Sequence, residues 1–169
     1  IESLDGLIAR YVAGRLPEPA RVLVEAHLEI SPRNRPLVSS LEQLAGDALE
    51  REQPIEIANR DSRLEAIFGA AQQGSTGLKN QSSSLMPRGL LRLVGHDIND
   101  IPWRTKMPGY REFELGEIDG CEASMLWIRA GRKMPSHTHE GSEITLVLDG
   151  AFADLNGRYG RGDIAVADD

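Results

Sequence analysis

Two imidazoles and a carboxylate stand close together in this chain: His137, His139 and Glu143. In an extended strand, side chains alternate between faces, so His137 and His139 share one face with Thr138 between them. Glu143 follows after Glu140-Gly141-Ser142, where the glycine lets the chain turn tightly. Brought together, these three donors form a facial set suited to a borderline divalent ion. These nitrogen and oxygen donors suit zinc, iron, manganese and nickel alike and do not choose among them; zinc is the ion expected. A carboxylate buried among apolar side chains costs several kcal/mol unless it is paired, and a metal removes that cost. An isolated His-x-His can also be a solvated turn that binds nothing.

The wider spacing narrows the choice. From Gly131 to Gly150 the chain reads GRKMPSHTHEGSEITLVLDG, a G-x5-H-x-H-x3-E-x6-G pattern with every position filled. The stretch resembles the first motif of the cupin superfamily. That resemblance implies an all-β domain (a double-stranded β-helix, or jelly-roll barrel) with His137, His139 and Glu143 as metal ligands. A second cupin motif would add a fourth ligand, a histidine. Gly162-Asp163-Ile164-Ala165-Val166-Ala167 begins that motif, with Asp168 where proline is usual. The histidine would fall beyond Asp169, so the cupin portion reads as cut short. Open coordination positions would also suit oxygen chemistry on Fe(II), so a metal-dependent dioxygenase is the alternative function.

The elements that must position these groups fall into two textures. The first 71 residues read as a small all-α domain. Ser3 can cap a helix carrying Leu4, Leu7, Ile8, Tyr11 and Val12, with Gly14 as its stop. A second helix follows Leu16-Pro17-Glu18-Pro19, with Ala20, Leu23, Val24 and Leu28 on its apolar side and His27 beside them. Ser31-Pro32 predicts the start of a third helix bearing Leu37, Val38, Leu41, Leu44, Ala45, Ala48 and Leu49. Capping-box spacing at Ser62-Arg63-Leu64-Glu65 predicts a fourth. Residues 72–87, rich in Gln, Ser and Gly, read as a flexible linker. From residue 88 to 169 the reading is all-β. Short apolar runs at Ala123–Ile128 and Ile144–Leu148 are punctuated by Gly109, Asp119-Gly120, Asp149-Gly150 and Asn156-Gly157. His96, Trp103 and Trp127 read as structural, and Cys121 as a small semi-buried side chain.

Composition excludes several functions. The net charge is −7, and neither half is basic, so direct docking on nucleic-acid phosphates is not expected. Mild acidity suits solubility and would also suit a basic protein partner. No apolar run of about 18 residues is present, which argues against a membrane span and for a cytoplasmic protein. A single cysteine excludes an internal disulfide and fits a reducing compartment.

A helical domain followed by a cupin resembles the ChrR family of anti-sigma factors. Asp5–Gly14 (DGLIARYVAG) and Val24-Glu25-Ala26-His27-Leu28 carry the likeness in the first domain. The resemblance implies a transcription regulator whose helices hold an extracytoplasmic-function sigma factor. Its cupin would sense an oxidative or chemical stress signal, without catalysis, and a homodimer through the β-domain is conceivable. The family's helical domain carries zinc on an early histidine and an H-x3-C-x2-C cluster. Of those ligands only His27 is kept. Glu2, Ser31 and Asn34 replace the others, and without thiolates no zinc is expected there. Leu4, Leu7, Tyr11 and Leu23 are the candidate sigma contacts, with internal packing as their competing role.

Overall fold

A computed structural model describes residues 3–71, 86–132 and 141–167. Five helices come first: α1 (Leu4–Val12), α2 (Glu18–Ile30), α3 (Arg35–Glu50), α4 (Arg60–Ala71) and α5 (Arg88–Val94). Seven strands follow: β1 (Arg104–Met107), β2 (Tyr110–Ile118), β3 (Cys121–Ile128), β4 (Glu143–Leu146), β5 (Ala151–Ala153), β6 (Arg158–Gly160) and β7 (Ile164–Ala167).

The ends of α1 form as its sequence directs. The Ser3 hydroxyl accepts from the Gly6 N–H at 3.2 Å, and Gly14 follows the helix at φ +66°. Two expected helix starts are displaced. Ser31 does not open α3; it closes α2, its N–H reaching the His27 carbonyl at 2.7 Å. The chain then turns through Pro32–Asn34, and Pro36 is the proline in the first turn of α3. Similarly, α4 starts at Arg60, immediately after Asn59 at φ +57°, which puts Ser62 inside the helix instead of at its cap.

Helix α2 occupies the centre. A helix with one buried stripe shows a 3.6-residue rhythm, but α2 buries Pro19, Ala20, Val22, Val24, Ala26 and His27. Val22 and Ala26 join Met86, Leu90, Val94 and Ile101 in one cluster, with Trp103, Phe113, Leu115 and Met125 packed against it. Val24 joins Leu7, Ile8, Val38 and Ile164 in a second. The anticipated stripe named Leu23 and Leu28, which are only half-buried, and passed over Val22 and Ala26. Contact on two sides hides the period. Each fully buried Leu or Val contributes about 1.5–3 kcal/mol, so these clusters are a main source of the cohesion of α1, α2 and α5.

Among the described residues the strands form three small sheets. The first is an antiparallel β1-β2-β3 meander. Its β2–β3 turn is a tight hairpin through Asp119 (φ +51°) and Gly120 (φ +75°), the left-handed pair that a two-residue loop requires. β4 pairs antiparallel with β7, with Ile144 opposite Val166 and Leu146 opposite Ile164. β5 and β6 form a separate hairpin. The expected closed barrel is therefore not seen as one continuous sheet. Residues 88–94, read as the start of the β region, are helix α5, packed on α2.

Gly162 is the tightest point of the fold. It sits at φ +87°, and a Cβ there would lie 2.7 Å from Ile30 Cγ2 on α2. Gly162→Ala is expected to destabilise the chain by about 2–4 kcal/mol, from backbone strain plus overpacking. Gly150→Ala, at φ +73° with open space around it, should cost only about 1–2 kcal/mol. Denaturant unfolding of both variants measures the difference.

Tyr11 lies half-buried against the second cluster. Burial, then the carboxylates of Glu25 and Glu42, raise its phenol above the ordinary value, with Arg21 opposing. The folded state therefore holds this proton where the unfolded state releases it. Its stabilising contribution is complete below about pH 10 and is lost as pH rises through the raised value. Titration of the phenolate absorption band should show one late-ionising tyrosine, which Tyr11→Phe removes.

Candidate functional site

Of the three expected metal ligands, the structure places Glu143. His137 and His139 lie outside the described residues. Glu143 opens β4, half-buried, and the Thr145 hydroxyl donates to its Oε1 at 3.1 Å. Alternation sets Glu143 and Thr145 on one face of β4, opposite Ala167 and Ala165 of β7. Ile144 and Leu146 take the other face and pack toward the helices. The carboxylate thus sits on a strand whose far side is anchored in the core, with alanines at the paired positions of β7. A sheet held in this way keeps a carboxylate in place. No group of three or more potential metal-binding side chains converges among the described residues.

His27, on the apolar side of α2, is sealed inside the protein. Only 2% of it is exposed, and both ring nitrogens are engaged. Nδ1 lies 2.5 Å from the Gly162 carbonyl, and Nε2 lies 3.0 Å from the Asn34 side-chain amide. A carbonyl only accepts, so Nδ1 carries the proton and donates, and the unprotonated Nε2 accepts from the amide. Ser31 is buried nearby at the end of α2. An imidazole with both nitrogens occupied, an amide and a hydroxyl make a poor donor set for zinc, which favours thiolate and free imidazole. Asn34 stands in this arrangement as a hydrogen-bond partner of the histidine.

The four candidate partner contacts are not one exposed group. Leu7 is fully buried, so in this conformation it offers no surface to another protein; Ile8, Val24, Val38 and Ile164 complete its cluster. Leu4 and Tyr11 are half-buried against that same cluster, and Leu23 against the other. The open apolar surface lies further along the chain. Leu44 and Leu49 on α3, Ile55 and Ile57 in the connection, and Ile67 and Phe68 on α4 are all more than half exposed. Helical spacing predicts Leu44 and Leu49 on one apolar stripe with Leu37, Val38 and Leu41, but both are exposed. Only Val38 of α3 is buried, and the α3 side chains packed in the second cluster, Leu37, Val38 and Leu41, all lie in the first half of that helix.

The remaining candidates have structural surroundings. Trp103 packs on the α2–α5 cluster. Trp127 is exposed at 41%, with the Arg111 guanidinium 4.7 Å from its ring centre. His96 meets Phe113 edge to face at 5.7 Å. Cys121 is a free thiol at the start of β3. No helix among the described residues is long and apolar enough to cross a membrane.

Comparison with known proteins agrees with this architecture. The family described as the ChrR Cupin-like domain matches residues 92–168. The anti-sigma-E factor ChrR of Cereibacter sphaeroides is 32% identical over 166 residues, spanning 97% of this chain and 77% of that protein. The crystal structure of Rhodobacter sphaeroides SigE in complex with the anti-sigma ChrR aligns at a TM-score of 0.77. That alignment has 32% identity and covers 99% of this chain and 86% of the other. Helices at the front, a cupin-like β region behind and a likeness that runs almost from end to end lead to one assignment: this chain belongs to the ChrR family of anti-sigma factors.

Proposed function

We propose that this protein sequesters an extracytoplasmic-function sigma factor on the surface of α3, the following connection and α4. The observation that carries this reading is the apolar set Leu44, Leu49, Ile55, Ile57, Ile67 and Phe68, left open to solvent. Six large apolar side chains left exposed between Leu44 and Phe68 support a surface that another macromolecule covers. The similar solved structure is itself a complex of an anti-sigma factor with SigE. Between residues 42 and 56 this surface carries Glu42, Asp47, Glu50, Glu52 and Glu56 against a single cation, Arg51. Such a rim favours a basic partner surface and would steer its approach. The interaction occurs on α3 and α4, so it needs no metal in the helical half.

In the β-rich half the reading is a cupin barrel whose His137, His139 and Glu143 would hold a divalent ion, zinc by preference. When bound, the ion would supply a fixed positive charge and a coordination sphere open to a chemical signal. The chain's own contribution is to fix Glu143 on β4 and to place small side chains opposite it. A signal at this site could shift the partner-bound population only as far as it binds the bound and free states unequally.

Phe68→Asp and Ile67→Asp should each weaken capture of the sigma factor by roughly 30-fold or more, as loss of a central apolar anchor does. Both side chains are exposed, so the thermal midpoint should hold. Co-purification and titration calorimetry against the sigma factor read the first effect. Unchanged binding by both variants would move the interface elsewhere. For the metal, elemental analysis of the purified full chain should find a bound divalent ion that Glu143→Ala or His137→Ala removes. Metal content unaffected by either substitution would reject the ligand set.

A further inference from the structure

We propose that the β-rich half clamps helix α2 at both of its ends, and that this clamp makes the helical and β-rich halves one cooperative unit. The N-terminal latch is Asp119. Pro17 precedes α2 and has no side-chain acceptor, so the helix cannot cap itself. Instead Asp119, in the β2–β3 turn 101 residues away, accepts from the Glu18 N–H through Oδ2 at 2.9 Å. Its carboxylate also faces the positive end of the helix dipole. The C-terminal latch is His27, whose Nδ1 donates to the Gly162 carbonyl in the β6–β7 turn, 135 residues away. Three features reinforce it. Gly162 has no side chain, and Ile30 occupies the space a Cβ would need. Arg33 pairs with Asp163 at 3.4 Å. Asn34 fixes the far side of the imidazole.

Both latches therefore join a turn of the β-rich half to the same helix, and the Gly162 turn leads directly into β7, the strand paired with Glu143. A displacement of β4 and β7 pulls on the end of α2, and α2 carries side chains in both core clusters. Where this touches control of a partner it rests on the sigma-factor reading above. The clamp itself does not, and its test needs no partner.

The test follows unfolding of the full chain in denaturant by two signals. Far-ultraviolet helix dichroism reports mainly on the helices, and fluorescence of Trp127 on β3, read in a Trp103→Phe background because Trp103 packs on the α2–α5 cluster, reports on the β-rich half. With both latches intact the two transitions should coincide. The combined variant Asp119→Gly with His27→Leu should separate them, the helix transition moving to lower denaturant. Glycine suits the positive φ at Asp119, so the hairpin turn is preserved. Asp119→Asn and His27→Asn each keep an acceptor or donor in place and should keep the transitions together. Transitions already separate with both latches intact, or still coincident in the combined variant, would overturn the clamp. If the combined variant does not fold, hydrogen exchange of Asp119→Gly alone decides. Roughly fivefold faster exchange along α2 as far as His27 supports the clamp, being the equivalent of one lost cap. Faster exchange confined to the first turn rejects it.

Discussion

Helix α2 is covered on two sides, and the rest of the architecture follows from that constraint. A helix covered from two directions cannot present polar side chains to either neighbour. Its sequence, EPARVLVEAHLEI, meets this with Val22 and Ala26 toward α5 and Val24 toward α1 and β7. The small side chains of Ala20 and Ala26 let the neighbours approach closely. Where the backbone of the β6–β7 turn reaches α2, only glycine fits, and its carbonyl is paired by the single polar side chain buried in the helix, His27. A buried carbonyl without a donor would cost about 1–3 kcal/mol, so the histidine is part of the packing and not an intrusion into it.

The end of α2 and the turn after it form a packed junction with the β-rich half. It is held by hydrogen bonds from Asn34 and to Gly162, by the Arg33–Asp163 pair and by apolar contact of Ile30. The helical half is thereby tied to the β-rich half, instead of being closed on itself. Its surface remains divided in purpose. α1, α2 and the start of α3 are committed to the interior, whereas Leu44 and Leu49 toward the end of α3 and Ile67 and Phe68 on α4 are left exposed by the described residues.

The β-rich half shows the same economy. On β4 and β7, one face is anchored by Ile144, Leu146, Ile164 and Val166 against the helices. The other face carries Glu143 and Thr145 opposite two alanines. A strand with one face locked in the core cannot slip by a single residue without exposing its apolar set, so the register of Glu143 is fixed by burial on the opposite side.

By itself the sequence determined the elements whose signals are local. The Ser3 cap, the apolar run Ala123–Ile128 that forms most of β3, and the Asp119-Gly120 turn each depend on residues within a few positions of one another. The spacing that groups His137, His139 and Glu143 was equally legible as a pattern, although only Glu143 among them is placed by the structure. Tertiary structure decided whatever depends on distant partners. Ser31 was read as the start of α3 because hydroxyl-then-proline is a genuine start signal, but α2 ends there against Gly162. Leu7 and Leu44 look alike in a helical pattern, yet one is sealed inside and the other left open, because α1 packs on both neighbours while α3 soon runs free of them. No local signal could show that Asp119 caps a helix 101 residues before it. Patterns of a few residues fix local conformation, whereas burial and long-range hydrogen bonds exist only once the chain has brought its ends together.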